Sequence, residues 1–564
     1  MLATEVHRWL ISDCNGELMY KMVSLQTNAS KVALAGLLAA SLCGGSMMVG
    51  ASTAYAGEVT IKETATETDA NALSYNAFKL FNATNNADGS VSNITWVNDD
   101  IKNAVLGVIK KHDPAYAGTN AQAAAEWIAS KVTGTGSTTI VDASSIANQI
   151  AVAVSGKAAT KTLASGTATT LESGYWLFVT NANSTKDAVN KAGTSPIFAV
   201  VGGDALTIKP KTGTPTVNKT IKNDQTGKYD KVADSQVGQV VEYKLTGTVA
   251  SNIATYSTYS YTFTDELSAG IELTGTKEVK VTIDGTDVTA NAAIGYADKK
   301  LTVAFDNLFA AKAGINANSN VTVTYKAKLT SAAVIGGAGN SNTVALTYSN
   351  NPNTDSKGTS TSSAVRDYAF KLHLVKSDKA TNQKLAGAKF TIQATGADGA
   401  GSNDRYVQAD GTLGPDAHKF ETRADGTFDV AGLDAGTYTV TEVAAPPAAG
   451  SPDAAYKPLS STFTFTIAPE YDADTQALTN LGLTVAGNAN AIAGLDTSDN
   501  NTLDADNGSA ANAADGVVNV TAANEKAIKL PLTGEQGIAL VMGAGLVIVA
   551  VSAVSLSRRR REED

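Results

Sequence analysis

Apolar and polar residues alternate with a period of two through most of residues 215–525. "GQVVEYKLTGTV", "YSYTFTDEL", "KEVKVTIDG", "KKLTVAFDN", "NVTVTYKAKL" and "NTVALTYSN" place β-branched and aromatic residues on one face, with Gly, Asn and Asp turns between them. Short strands at this spacing predict a β-sandwich over 210–353. A second series predicts another over 364–528: "YAFKLHLVKSD", "AGAKFTIQA", "GTFDVAGL", "GTYTVTEVAAP", "STFTFTIAP" and "GVVNVTAANEK". The polar run "NPNTDSKGTSTSS", residues 351–363, reads as a linker. Residues 57–209 mix periods. "ALSYNAFKLFNA", "SGYWLFVTN" and "SPIFAVVGG" alternate as strands, whereas "IKNAVLGVIKKH" and "NAQAAAEWIASKV" have helical spacing. Asn98 or Asp99 is expected to cap the first helix and Thr119 the second.

The two ends break this pattern. Lys31 precedes an apolar run, and "AYAG" offers an A-x-A cleavage site at Ala54–Ala56. Residues 1–56 therefore read as a secretion signal, with Met1 or Met22 as its start. At the other end Ile538–Leu556 carries no charge and Arg558–Arg561 follow at once. As a helix the run would be about 28 Å long, close to the hydrocarbon thickness of a bilayer. The arginines would hold the tail inside the cell and leave the bulk of the chain outside.

Composition sharpens the picture. The 564 residues carry a net charge of -10, which argues against nucleic acid as a partner. The two cysteines, Cys14 and Cys43, fall in the signal segment, so the mature chain is expected to have no disulfide and no thiolate metal ligand. A lipoprotein reading of Cys43 fails because Leu42 precedes it. No H-E-x-x-H, G-x-S-x-G or Cys–His pairing follows the signal, and His112, His373 and His418 are scattered. The loop around Asp504, Asp506 and Asp515 lacks the Gly and Glu of a calcium loop. No enzyme activity on an external substrate, no cofactor and no metal is expected.

"LPLTG", Leu530–Gly534, resembles the LPxTG sorting signal of Gram-positive surface proteins. The apolar span and arginines that follow complete the tripartite pattern. The resemblance implies that a sortase cysteine attacks the Thr533 carbonyl and releases Gly534 onward, and that an amine resolves the thioester. Pro531 would bend the peptide, and its missing N–H keeps it out of a sheet. "LTIKPK", ending at Lys211, resembles the pilin motif of sortase-assembled pili, with Lys209 where that family usually has Tyr. The resemblance makes Lys211 the nucleophilic lysine, at the junction of two domains.

"GTYTVTEVAAP" resembles the E-box of pilins and of Cna B-type sandwiches, and "KLAGAKFTI" their second strand. In that family a first-strand Lys bonds to a last-strand Asn with help from a buried acid. The matches are Lys376, Asn524 and Glu442. Parity agrees for Lys376, because Phe370, Leu372 and Leu374 share its strand face. Desolvation lowers a buried lysine's pKa. The neutral amine can then attack an Asn amide polarised by the acid, releasing ammonia. The middle sandwich offers a second trio by resemblance. Lys219 lies on its first strand. Asp265, sharing a face with Phe263 and Leu267, is favoured over Glu266. Asn342 lies on the last strand, with Asn340 as the alternative of equal parity.

The fold expected is mainly β. Tandem immunoglobulin-like or Cna B-type sandwiches follow a strand-rich N-terminal domain with helical insertions, and residues 530–564 hold the sorting signal, one transmembrane helix and a basic tail. The whole resembles a SpaA/FimA-type backbone (major) subunit of a sortase-assembled fimbria. The implied partners are sortase, further copies of the chain, accessory pilins and peptidoglycan, at the wall and surface of a Gram-positive bacterium. The adhesion ligand stays open. The competing expectation is a monomeric wall-anchored adhesin for a host protein or glycan, which would have no use for Lys211.

Overall fold

The computed structural model describes residues 56–62, 73–86, 91–131, 142–397, 405–447, 455–493 and 516–527. Residues 1–55 of the expected signal segment, the loop at 496–515, the LPLTG residues Leu530, Pro531, Thr533 and Gly534, and the apolar span lie outside them. Among the described residues no helix is long and apolar enough to cross a membrane.

The described chain is mainly β and builds in three regions. In the first, Ser74–Asn85, the all-buried Gly174–Thr180 and Ile197–Val201 pair antiparallel in one sheet. One face of it is covered by helices α1 (Asp99–His112), α2 (Ala121–Lys131) and α3 (Ile146–Ser155), around Phe78, Leu80, Val105 and Ile150. The other face packs through Tyr75, Trp176 and Phe178 on a small sheet in which Gly57–Ile61 runs parallel to Leu206–Ile208. Burial on both faces explains why "GYWLFVT" is apolar without alternation.

Local chemistry accounts for the helix starts. The Asn98 side chain accepts from the Ile101 N–H at 2.9 Å, and Asp99 and Asp100 lie in the first turn. For α2 the capping oxygen belongs to Asn120, which accepts from Ala123 N–H at 2.7 Å. Thr119 is one residue too early, since a cap must reach the N–H two or three positions on. Helix α3 went unforeseen. "IANQIAVAVS" alternates almost as a strand would, and only the Ser145 hydroxyl, accepting from Asn148 N–H, marks its beginning.

The middle region is a sandwich of two seven-stranded sheets. One contains Val217–Lys222, Val240–Thr248 and Asn320–Leu329, side by side. The facing sheet contains Tyr261–Leu267 between Lys300–Phe305 and Asn340–Ser349. The residues expected to be a linker, 351–363, are instead part of this region. Lys357–Thr359 pairs with Asn340–Ser349, and Asn351 is fully buried, donating to Thr180 O. Polar composition misled because these side chains serve a buried junction with the first region. Ser363–Tyr368 also joins the middle sheet.

Among its described residues, the third region packs a four-stranded sheet on a seven-stranded one. Its first and last strands, Phe370–Asp378 and Val517–Asn524, run parallel and adjacent. Between the middle and third regions sits a buried carboxyl cluster. Tyr471 donates to Asp234 (2.9 Å), and Ser235 donates to Asp367 (2.8 Å). Gln236 accepts from Asp434 N–H (3.1 Å) and from the Tyr438 hydroxyl (3.0 Å). Burial pushes the Asp367 carboxyl up to about 8, and burial also raises Asp234 and Asp434.

Candidate functional site

Two buried clusters and one junction collect the residues singled out in the sequence. In the middle sandwich Lys219 projects inward from Val217–Lys222, while Asp265 and Asn342 project from neighbouring strands of the facing sheet. All three are fully buried. Lys219 Nζ donates to both Asp265 oxygens at 2.6 Å. An isolated charge here would cost several kcal/mol, so the ion pair is the condition for burying either group. Burial nevertheless brings the Lys219 ammonium down to about 8, with Asp265 opposing the shift. The amine also lies over the rings of Tyr243 and Tyr325, at 5.4 and 5.2 Å.

Sequence reasoning missed Tyr325. Its hydroxyl accepts from Lys219 Nζ (2.8 Å) and from Asn342 Nδ2 (2.7 Å), and donates to Asp265 Oδ2 (2.6 Å). The available signal was parity: Tyr325 shares the buried face of Val321 and Val323 in "NVTVTYKAKL". A tyrosine on a core face needs a partner for its hydroxyl. The structure also separates the two asparagines. Asn340 is occupied with backbone, accepting from Val334 N–H and donating to Val334 O and Asp367 O. Asn342 reaches the Lys219–Asp265 pair through the Tyr325 hydroxyl, and its buried Oδ1 has no hydrogen-bond partner among the described residues.

In the third sandwich Lys376 and Asn524 lie on the adjacent parallel strands. Lys376 is level with Ala522, so Asn524 falls two residues farther along the same face. Glu442 comes from Gly436–Ala444 in the opposite sheet. Lys376 Nζ is 3.5 Å from Glu442 Oε1 and donates to Ala522 O at 3.1 Å. Glu442 Oε2 accepts from Asn524 Nδ2 (2.9 Å) and from Leu459 N–H (2.6 Å). Asn524 Nδ2 also donates to Lys457 O at 2.6 Å, which fixes its amide orientation, because that carbonyl can only accept. Among the described residues, the buried Asn524 Oδ1 has no hydrogen-bond partner, as Asn342 Oδ1 has none. Burial brings Lys376 to about 8 against the opposing pull of Glu442.

Lys211 lies beyond Leu206–Ile208, where the first region meets the middle one. Pro210 is buried and Lys211 is half-buried. The Lys211 main chain is held from both sides. Its N–H donates to Thr194 Oγ1 (3.1 Å), and its carbonyl accepts from Ser195 N–H (3.2 Å) and Asn252 Nδ2 (3.4 Å). Burial lowers the pKa of its amine.

Comparison with known proteins bears on most of the chain. Residues 370–480 match the SpaA domain, described as a prealbumin-like fold domain, and residues 522–564 match the LPXTG cell wall anchor motif. The T6 backbone pilin of serotype M6 Streptococcus pyogenes, described as a modular three-domain structure, aligns with a TM-score of 0.50 at 14% identity. The alignment covers 85% of this chain and all of that one. The chain has a backbone pilin's fold and a wall-anchor motif. The anchor motif places it at the cell wall of a Gram-positive bacterium. The full-length major pilin SpaD from Corynebacterium diphtheriae aligns at 15% identity with a TM-score of 0.42, over 84% of this chain and 98% of its own. The major pilin BcpA of Bacillus cereus aligns at 14% identity with a TM-score of 0.38, over 84% of this chain and all of its own. No curated protein matches in sequence.

Proposed function

We propose that the chain is the backbone subunit of a covalently polymerised surface pilus. Sortase joins Thr533 of one subunit to Lys211 of the next. The thioester carbonyl passes to Lys211 Nζ, an amide forms, and the sortase thiolate leaves with the amine's proton. The observation that carries this reading is the setting of Lys211. Its backbone is clamped at the end of the first region, and its amine is shifted toward the neutral, nucleophilic form. Terminal subunits reach peptidoglycan through the same thioester, and accessory pilins and an adhesion ligand complete the fibre.

Within each subunit the two buried trios form Lys219–Asn342 and Lys376–Asn524 isopeptide bonds, promoted by Asp265 and Glu442. Support comes from three shared features. Each lysine is desolvated against a carboxylate, each asparagine is within reach of the same cluster, and each asparagine Oδ1 has no partner among the described residues. Such bonds would do the work of disulfides in a mature chain that is expected to have no cysteine.

The test is a denaturing gel of cell-wall extract, wild type beside Lys211→Ala, probed for this protein. A high-mass ladder that collapses to monomer in the variant is expected. An unchanged ladder would move the joint to another lysine, Lys209 first. A monomer band in both would favour the wall-anchored adhesin.

A further inference from the structure

The two trios are not equivalent in reach. In the third sandwich the acid touches the asparagine amide directly, Glu442 Oε2 to Asn524 Nδ2 at 2.9 Å. In the middle sandwich the acid is Asp265, one methylene shorter, and Asn342 Nδ2 meets the Tyr325 hydroxyl instead, at 2.7 Å. That hydroxyl in turn donates to Asp265 Oδ2 at 2.6 Å and accepts from Lys219 Nζ at 2.8 Å. Tyr325 is therefore in hydrogen-bond contact with both nitrogens that exchange places in isopeptide formation.

We propose that Tyr325 is a catalytic residue of the middle-domain crosslink, relaying a proton from Asp265 to the departing amide nitrogen of Asn342. This rests on the isopeptide reading given above. Asp265 first takes a proton from the Lys219 ammonium. The neutral Nζ attacks Cγ of Asn342 and the Nζ–Cγ bond forms. In the tetrahedral intermediate Nδ2 is no longer conjugated with the carbonyl, so its lone pair can accept a proton. Tyr325 gives Nδ2 its hydroxyl proton and takes one from Asp265 Oδ2. The Cγ–Nδ2 bond breaks and ammonia leaves, while Asp265 recovers a proton from the former ammonium nitrogen. Nothing else is consumed, and the tyrosine ends as it began. Burial holds the Tyr325 hydroxyl well above its ordinary pKa, so the relay is concerted and no free phenolate forms. The ring is held for this by stacking on Tyr243, with centroids 5.3 Å apart and planes 7° from parallel.

The test uses the mature chain with Tyr325→Phe, which keeps the stacked ring. Intact mass and peptide mapping are followed from the start of refolding. Wild type should lose two ammonias, one of them mapping to Lys219–Asn342. If wild type shows no Lys219–Asn342 peptide, the isopeptide reading itself fails. Tyr325→Phe should form the Lys376–Asn524 bond normally and the middle bond about 100-fold more slowly or not at all, the scale of a lost general acid. Adding Asp265→Glu should restore the middle bond, because the longer acid reaches Asn342 as Glu442 reaches Asn524. A wild-type rate in Tyr325→Phe would overturn the relay. So would a Tyr325→Phe defect that also lowers the thermal midpoint in an Asn342→Ala background, where no bond can form and only packing is read.

Discussion

The middle and third sandwiches gather Lys, Asn and an acid at one buried point, but they divide them between sheets differently. In the middle one Lys219 comes from one sheet, and Asp265 and Asn342 from the other. In the third, Lys376 and Asn524 share a sheet and Glu442 faces them. A middle-domain bond would therefore tie sheet to sheet, and a third-domain bond would tie first strand to last. On the proposed reading, what the two have in common is one desolvated amine, one amide and one acid gathered in a single buried cluster. The strand order that delivers them is secondary, provided something spans any gap. In the third sandwich the longer glutamate spans it, and in the middle one a tyrosine hydroxyl lies between.

The comparison can be broken most severely at the acids. Asp265→Ala and Glu442→Ala should each leave only their own domain unlinked, so intact mass falls by one ammonia instead of two. A crosslink closing a loop on the order of 100 residues is worth about 4–5 kcal/mol through the unfolded chain, and the affected domain should unfold at a markedly lower temperature. A Glu442→Ala chain that still loses both ammonias would sink that role for Glu442. Glu442→Asp is sharper. With no hydroxyl bridge the shorter acid should slow the third-domain bond by about 100-fold, whereas Asp265→Glu should be tolerated.

The joint between the two sandwiches should respond to pH. Unfolded aspartates titrate near 3.9, whereas folded Asp367 holds its proton up to about 8. Between those values the folded joint binds more protons than the unfolded chain, so its stability is full below about pH 4 and declines as pH rises to about 8. Asp234 and Asp434, raised by the same burial, act in the same direction. Asp367→Asn should flatten the dependence of the thermal midpoint on pH across this range. An equally steep profile in the variant would remove Asp367 from the joint's titration. The smallest effect is expected at Asn340→Ala, which removes hydrogen bonds to Val334 and Asp367. It should cost about 1–3 kcal/mol and leave the Lys219–Asn342 bond intact by peptide mapping.

Much of this was legible in the linear chain. Period-two alternation located the long strands of both sandwiches, since one buried face imposes it. Parity pointed to Lys376 behind Phe370, Leu372 and Leu374, and to Asp265 behind Phe263. What misled were segments whose partners are distant. Residues 351–363 look like solvated linker until Asn351 is seen donating to Thr180 O. Helix α3 looks like a strand until it is packed under Ser74–Asn85. The position of Lys211 at a junction of two regions could be read, but the clamp from Thr194 and Asn252 could not.

The sequence by itself determined the strand-rich fold class, the Asn98 cap of α1, and the residue types able to build a crosslink, because each depends on neighbours within a few positions. The tertiary structure alone chose Asn342 over Asn340, set Asn524 beside Lys376 across parallel strands, and put Tyr325 between amine, acid and amide. Parity assigns a residue to a face but gives no distance to another strand. Only the packing of one sheet on the other converts a shared face into a contact of 2.7 Å.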